Sequence, residues 1–250
     1  MKLIRIYLIS LVLVVSCSTE NSWDCIQNTG TIVQLEVQVN KFNSILVNRD
    51  IELIILEGIE HKVVIETGEN LMNDIDVVVI DDELQLIDTN SCNWVREYGI
   101  TKVYVTAPNL ISIRNSSQYT VSSNGILTYP EISLISEDFN APGSFTVGDF
   151  DMQFNNTKIL IVSNNLSSFY ISGQTDNLNV GFYSGSGRFE GENLIARDVT
   201  IYHRGSNDMI VNPQQSLQGE LRGTGNLIAI NQPPTVDVVQ FYTGELIFED

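Results

Sequence analysis

Apolar and polar residues alternate with a period of two from Thr31 onward, which is the pattern of β-strands with one buried face. The first apolar positions of this pattern are Ile32, Leu35, Val37, Val39, Phe42, Ile45, Val47, Ile51, Leu53 and Ile55. Glycine-containing turns separate later strands, as at Gly58 and Gly68, and no stretch has the period of an amphipathic helix. The sequence therefore predicts an all-β domain over residues 31–250.

A longer repeat runs through the second half of the chain. Strand starts recur every 18 to 21 residues, with one interval of 27 around Pro142 and Gly143. These starts are Ile111, Ile132, Ile159, Leu178, Val199, Leu217 and Val236. The last four repeats also share a glycine, at Gly185, Gly205, Gly223 and Gly244. We expect these four glycines to stack in one column at equivalent corners.

Repeats of this size predict stacked coils. A unit of about 20 residues cannot bury its inward side chains alone, whereas stacked units share a continuous core. We predict a right-handed parallel β-solenoid, similar to a β-helix, with a less regular β region over residues 31–110 and repeated coils over residues 111–250. The alternative is a β-sandwich, whose strands would recur every 8 to 12 residues or about half the spacing found here.

The first 17 residues have the features of a bacterial lipoprotein signal peptide. Two basic residues precede an apolar run from Ile6 to Val15, which is shorter than the roughly 20 residues of a bilayer span. The run ends at a lipobox whose last residue, Cys17, is the predicted site of lipid attachment. The alternative is a plain secretory signal with a chance cysteine. Residues 18–30 are polar, and we interpret them as a tether.

Cys25 and Cys92 remain as an even pair once Cys17 carries lipid. In an oxidising compartment we expect a disulfide between them, which would stabilise the domain by about 2 to 4 kcal/mol. The alternative is two buried free thiols. Trp23 and Trp94 each lie two residues from one of these cysteines, which favours a small aromatic cap at the same corner.

The charge of the chain argues against nucleic acid as a partner. The chain has 13 Lys and Arg residues and 31 Asp and Glu residues, which gives a formal net charge of −18. Such a surface repels phosphate groups, because nucleic-acid binding needs clustered cations. The same shortage of cations disfavours a solenoid hydrolase, since cleavage of acidic polysaccharides needs a basic groove.

Catalytic and metal-binding motifs are weak throughout the sequence. The chain has two histidines and no Gly-x-Ser-x-Gly, His-Glu-x-x-His or Cys-x-x-Cys motif. Three acidic clusters offer oxygen ligands for calcium, but none has the spacing of a known calcium loop, so solvated turns are the favoured interpretation. They comprise Asp74 and Asp76, then Asp81, Asp82 and Glu83, then Asp149 and Asp151. We predict no catalytic residue, metal site or cofactor.

Aromatic pairs precede the glycine positions and form a candidate ligand strip. The pairs are Phe182 and Tyr183, Tyr202 and His203, and Phe241 and Tyr242. Strand alternation sends neighbours to opposite faces, so we expect Tyr183, Tyr202 and Tyr242 to face outward beside Arg204 and Arg222. Such a strip suits sugar rings, and its guanidinium groups suit ligand carboxylates. The alternative, which we favour, is cross-coil stacking that only stabilises the sheet.

Three segments together resemble a known family. They are an opening led by Phe42 with Ile45 and Val47, the run from Lys102 to Ile113 with its Val-Tyr-Val-Thr-Ala-Pro core, and the glycine-serine corner at residues 184–187. They resemble the putative auto-transporter adhesin, head GIN domain family of exported proteins from Bacteroidetes-type bacteria. The resemblance covers roughly residues 35–248 and implies a β-solenoid fold and an envelope location, with no catalytic residues.

These observations favour a lipid-anchored protein of the bacterial cell envelope. We expect an outer-membrane lipoprotein, periplasmic or surface-exposed, that acts as a non-enzymatic adhesion or structural module. A glycan or a protein surface is the expected partner. The alternative is a carbohydrate-binding protein that uses the outward aromatic strip, and a hydrolase is a more distant third.

The lipid anchor can be tested by Cys17→Ser. Without the thiol there is no acceptor for diacylglycerol, so the protein should leave the membrane fraction and lose palmitate labelling in cells. Labelling that survives the substitution would refute lipid attachment at Cys17.

Overall fold

The computed structural model describes residues 24–90 and 92–249, and its strands all belong to one sheet. The prediction of an all-β domain is confirmed, since the described helices are two three-residue 3-10 turns, Asp24–Ile26 and Met72–Asp74. Within the described ranges no helix is long and apolar enough to cross a bilayer. The predicted signal peptide, Cys17 and residues 18–23 lie outside these ranges.

Seventeen strands are found in the described residues, and one nearly closed sheet surrounds one core. In chain order they are β1 (Ile32–Val37), β2 (Ser44–Val47), β3 (Glu52–Glu57), β4 (Lys62–Gly68), β5 (Ile75–Ile80), β6 (Glu83–Asp88), β7 (Lys102–Ala107), β8 (Ser112–Asn115), β9 (Val121–Leu127), β10 (Glu131–Ser136), β11 (Phe150–Ser163), β12 (Phe169–Phe182), β13 (Phe189–His203), β14 (Met209–Leu221), β15 (Leu227–Ala229), β16 (Thr235–Gln240) and β17 (Leu246–Phe248).

Successive coils from β11 onward pair in parallel, with register shifts near the bends of β12 and β13. Each long strand bends between two halves, and each half pairs with the same half of the next strand. After β14 the first half continues as β15 and the second as β16. The register joins six predicted strand starts in one column, Ile132, Ile159, Leu178, Val199, Leu217 and Val236. The seventh, Ile111, lies directly before β8 and beside Ile132 in the β8–β10 register, but it is 48% exposed and β8 buries Ile113 instead.

The first halves of the coils contribute a second inward column. Its members, in order of stacking, are Phe150, Phe169, Phe189, Met209, Leu227 and Leu246. Phe150 and Phe169 stack nearly parallel, with ring centroids 4.8 Å apart. Burial of one such side chain contributes about 1.5 to 3 kcal/mol, and stacking shares this burial between neighbouring coils.

The N-terminal part does not follow chain order. β2 pairs in parallel with both β6 and β8, and β3 pairs in parallel with both β7 and β9. The β2–β3 coil is therefore inserted between two coils that come later in the chain. Antiparallel strands then close this end of the stack, with β4 between β1 and β7, and β5 against β6.

The segment before β1 packs against this closed end. Cys25 forms a disulfide with Cys92, with Cα atoms 4.5 Å apart, and Gln27 is buried with its Nε2 donating to the carbonyl oxygen of Asn70 at 2.6 Å. Residues 24–30, which the sequence assigned to the tether, are thus part of the domain. Trp94 donates its backbone N–H to the Cys25 carbonyl, but the residue as a whole is 72% exposed. Trp23 lies outside the described residues.

The four regularly spaced glycines belong to two neighbouring columns. Gly185, Gly205 and Gly223 share one column, and their carbonyl oxygens accept N–H groups from the next coil. The expectation that Gly244 joins them is wrong, because Gly244 lies two residues before Leu246, in the column of Gly225. Of the four predicted glycines, Gly185 has a positive φ of 87°. Gly223 needs glycine for another reason, since a Cβ there would lie 2.1 Å from the Gly205 carbonyl oxygen.

Gly223→Ala should therefore destabilise the stack. The added methyl group overlaps backbone that cannot move without breaking the hydrogen bonds between coils, and we expect a loss of about 1 to 3 kcal/mol. Gly205→Ala is the matched control, since its Cβ would first meet the His203 ring, at 3.1 Å, and should cost less. Urea unfolding of both variants provides the comparison. Equal losses would contradict the close-approach explanation.

Candidate functional site

The second half of each coil ends in a buried side chain, and the chain then turns outward. Phe182, His203 and Leu221 occupy this last inward position in successive coils and are almost fully buried. The residues on either side of them consequently point to the outer face, and the same register that stacks the core stacks these outward residues. The corner after the second half is therefore where an outward column of side chains forms.

Two tyrosines meet at this corner through an unusual placement. Tyr202 lies on β13 directly beside Gly181 of β12, whose missing side chain leaves room on the outer face. The ring of Tyr183 folds back over Gly181, where a Cβ would lie 2.9 Å from it. Tyr183 and Tyr202 consequently stack, with ring centroids 5.0 Å apart and an interplanar angle of 29°.

Arg222 continues the column on the next coil. Its guanidinium group lies over the ring of Phe241, 3.9 Å from the centroid, and 6.0 Å from the centroid of Tyr202. The Nε of Arg222 donates to the Glu220 carboxylate, and this hydrogen bond raises the pKa of the guanidinium group. The Arg222 guanidinium group therefore lies between the rings of Tyr202 and Phe241, an arrangement that cation–π attraction favours.

Phe139 joins the other end of the column from the long corner between β10 and β11. Its ring packs edge-on against Tyr183, with centroids 5.8 Å apart. Glu137, which is buried, anchors this corner by accepting from Arg114 at 2.7 Å and from the Asn140 backbone N–H at 2.9 Å. Burial alone would raise the pKa of Glu137, but these hydrogen bonds and the Arg114 charge hold it below its usual value.

We call these five residues, Phe139, Tyr183, Tyr202, Arg222 and Phe241, the aromatic strip. The structure brings together three of the predicted strip residues, Tyr183, Tyr202 and Arg222. Phe241 takes the place that was predicted for Tyr242, because β16 pairs Gln240 with the inward Leu221 and the next residue, Phe241, faces outward against Arg222. Phe241 and Tyr242 are both exposed, at 53% and 65%. Arg204 is exposed at the same corner, where its backbone N–H donates to the Phe182 carbonyl.

The sequence missed Phe139 and Phe241 for different reasons. Phe241 belongs to a predicted aromatic pair, but the register of β16 places Gln240 beside the inward Leu221, so the pair starts one residue later than in the other coils and Phe241 faces outward. Phe139 lies in the 27-residue interval, outside the repeat, so no periodicity could place it. Only the folded corner brings it within reach of Tyr183.

The geometry of the rings limits what the aromatic strip can bind. Tyr183 uses one face against Tyr202, and Arg222 covers one face of Phe241. A sugar ring packs its C–H face on an open π surface, so these rings present mainly edges, hydroxyl groups and a guanidinium group. The strip is half-exposed, with Tyr183 at 43% and Phe139 at 51%.

His203 is part of the core at this corner. Its side chain is fully buried, and its Nδ1 accepts from the Gly205 backbone N–H at 3.4 Å. Burial lowers the pKa of His203, which favours the neutral ring. His61 is half-buried, packs edge-on against Phe42, and makes a 2.8 Å hydrogen bond to its carbonyl oxygen.

The acidic clusters serve local structure in the described residues. Asp81 and Asp82 form the two-residue turn between β5 and β6, both with positive φ, and the Asp149 carboxylate accepts the Ser168 backbone N–H at 2.8 Å. In residues 24–90 and 92–249 no three His, Cys, Asp or Glu side chains are grouped as metal ligands.

A crevice of about 240 Å³ beside the disulfide contains a carboxyl group that the sequence did not single out. Asp88 lies at the end of β6, and burial raises its pKa to about 7, with the charges of Asp50 and Asp74 adding to the rise. The Asn90 backbone N–H and Arg96 oppose this rise. The group thus titrates near neutral pH, where an ordinary aspartate is fully ionised.

Asp88 should make stability fall as the pH rises. The pKa of Asp88 is higher in the folded than in the unfolded chain, so proton binding by Asp88 stabilises the fold. This stabilisation is complete below about pH 4 and is lost by pH 7 to 8. Asp88→Asn should raise the free energy of unfolding at pH 8 by about 1 to 3 kcal/mol, and much less at pH 4. Urea unfolding at both pH values measures this, with the exposed Asp237→Asn as control. A variant as stable as the wild type at pH 8 would contradict the assignment.

Comparison with solved structures gives the same fold. A putative adhesin from Bacteroides fragilis NCTC 9343 is 21% identical with a TM-score of 0.79, covering 89% of this chain and 99% of its own. A putative adhesin from Parabacteroides distasonis ATCC 8503 is 17% identical with a TM-score of 0.60, covering 89% and 100%. A protein from the same organism, described as a putative lipid binding protein, is 13% identical with a TM-score of 0.57, covering 89% and 99%.

At these identities the likeness shows a shared fold. The comparison with curated proteins finds no matching sequence. A family model gives the more specific result, because its match extends over residues 41–233, most of the coil stack. The chain belongs to the family described as putative auto-transporter adhesin, head GIN domain.

Proposed function

We propose that this chain is a lipid-anchored protein of the bacterial outer membrane that acts as a non-enzymatic adhesion or structural module. The observation that carries the proposal is the aromatic strip, a continuous row of half-exposed rings and one guanidinium group along the side of the coil stack. Family membership supports a role in adhesion.

The proposed architecture for this role is a right-handed parallel β-solenoid. Its support is the parallel pairing that continues from β10 to β16, together with the strong preference of parallel crossover connections for the right hand. Such a stack is rigid because neighbouring coils share both backbone hydrogen bonds and core side chains. A rigid stack holds outward columns at fixed spacing, which an extended contact surface requires.

The proposed anchor is the lipid on Cys17, on the periplasmic or exposed side of the membrane. The lipobox supports it, and so does the charge of the chain, since a protein with a net charge of −18 gains no attraction from anionic headgroups. The lipid would then provide the membrane contact, leaving the coil stack available for other partners.

The composition of the aromatic strip suits a protein partner. Tyrosine and arginine are enriched among the residues that dominate binding energy in protein interfaces, as are large rings packed at the centre of a contact. The alternative partner is a carbohydrate bound along the same strip. Tyr242, which is 65% exposed beside Phe241, is the residue that favours it, because its ring adds to the surface at the end of the strip.

A bead-adhesion assay tests the strip. Beads coated with the mature chain carrying Cys17→Ser are washed over surfaces coated with bacterial envelope protein or with envelope polysaccharide. Tyr183→Ala with Phe241→Ala should lower retention on the protein surface at least tenfold, because loss of two interface rings removes roughly 2 kcal/mol or more. Tyr170→Ala is the matched control, a 45% exposed tyrosine on the first half of β12.

Three outcomes are informative. A selective loss on the protein surface supports the proposal, whereas a selective loss on the polysaccharide surface supports the carbohydrate alternative. The role of the strip would be overturned if beads with the wild-type chain are not retained, or if beads with the double variant are retained equally well. Melting temperatures of both variants confirm that the coils remain folded.

A further inference from the structure

A groove crosses four coils at the bend between the first and second halves of β11 to β14. It encloses about 390 Å³, within the size range of small-ligand sites. We define it as the polar groove, and the residues that matter for its chemistry are Asn155, Gln174, Asp176, Ile195, Arg197 and Gln214. It lies at the opposite end of the second half-strands from the aromatic strip and shares no residue with it.

Bulges in β13 shape the groove. Glu190 and Ile195 of β13 pair with Ile210 and Asn212 of β14. The interval on β13 is three residues longer than the interval on β14, so β13 carries three extra residues here. A smaller register shift separates β13 from β12 just before. Bulges bend a strand and redirect its side chains, and they recur beside functional sites. Coils without this irregularity would stack flat at the same place.

Amide side chains from three different coils line the polar groove. Gln174 donates from Nε2 to the Asn155 Oδ1 at 2.8 Å. Gln214 donates from Nε2 to the Oδ1 and the backbone carbonyl oxygen of Asn212, at 2.8 and 3.3 Å. An amide group has two donor hydrogens and a carbonyl acceptor, so Gln174 keeps a donor and an acceptor for a ligand, and Gln214 keeps its acceptor. Paired donors and acceptors at fixed spacing match the neighbouring hydroxyl groups of a sugar.

Two buried polar atoms in the lining lack a partner among the described residues. They are the Thr175 Oγ1, on a side chain only 5% exposed, and the Asn156 Oδ1. Buried polar atoms in folded proteins almost always have a hydrogen-bond partner, because an unpaired one costs about 1 to 3 kcal/mol. Both atoms are hidden from solvent, so a ligand in the open groove does not reach them, and the exposed amide groups carry its recognition.

The charges of the groove select against an ionic ligand. Asp176 and Arg197 contribute one charge of each sign, and Arg197 is already 3.6 Å from the Asp198 carboxylate. The net charge of −18 repels acidic glycans at longer range. Ile195 is 52% exposed and supplies the apolar contact that the C–H face of a sugar ring requires.

We propose that the polar groove binds a neutral oligosaccharide. Coils about 4.8 Å apart give the groove a length of roughly 14 Å across four coils, close to that of about three sugar units in an extended chain. Each coil then presents one set of polar side chains to about one sugar unit. This site is independent of the aromatic strip and of the protein partner proposed for it.

A glycan microarray followed by isothermal titration calorimetry tests this site. The mature chain with Cys17→Ser is applied to an array of neutral and acidic oligosaccharides, and the neutral glycan with the strongest signal is titrated. We expect Gln174→Ala and Gln214→Ala each to weaken binding at least tenfold. Gln218→Ala is the matched control, because Gln218 is an exposed amide on β14 that bonds to Thr200, outside the groove. Tyr183→Ala serves as the control for the aromatic strip.

Loss of binding in the two groove variants, with both controls unchanged, supports the inference. It is overturned if no neutral glycan binds the wild type more strongly than the Gln174→Ala, Gln214→Ala double variant, or if acidic glycans bind equally well. Binding that depends on Tyr183 and not on Gln174 would also overturn it, and would assign carbohydrate binding to the aromatic strip. Melting temperatures show whether the groove variants stay folded.

Discussion

Parallel hydrogen bonding between successive coils is the constraint on which the whole structure depends. Because the pairing is in register, an inward residue in one coil lies beside an inward residue in the next, and two apolar columns result. The same pairing places outward residues in columns. A shift of one residue in any coil would move its apolar side chains to the surface and break every column at once. Core and surface are therefore specified together.

Local departures from the repeating pattern produce both candidate surfaces. At the corner after the second half-strands, Gly181 leaves a space that Tyr183 fills, which creates the stacked tyrosines. At the opposite bend, extra residues in β13 open the polar groove. Regular coils provide rigid support, and the irregular coils form the concave and aromatic surface features. The proposed binding functions follow from this division, since a flat, fully regular wall has few concave or aromatic features.

The two ends of the stack differ in how the core is covered. At one end the inserted β2–β3 coil, the antiparallel strands and the Cys25–Cys92 disulfide cover the core. At the other end β16 and β17 form the last coil, and the inward Val236 is 39% exposed. Antiparallel strands end the parallel stacking, because they offer no further coil with matching direction. The described part of the chain thus has one closed end and one end with an exposed edge.

The sequence determined the features that repeat. Alternation gave the all-β class, and the interval of about 20 residues gave the columns from Ile132 to Val236, because coils in parallel register preserve the order and spacing of the chain. The sequence also indicated that Tyr183 and Tyr202 share an outer face. These features follow from the local period of the sequence, which is preserved in any fold that stacks the repeats.

Only the tertiary structure decided the features that join distant or irregular segments. The insertion of β2–β3 between later coils depends on pairings across more than 30 residues, which no local period encodes. The contact of Phe139 with Tyr183 depends on the path of a long corner, and the placement of Gly244 depends on which strand sets its register. The polar groove exists because β13 bulges against its neighbours. Bulges arise from competition between neighbouring strands for register, so their side chains come together only after the coils have stacked.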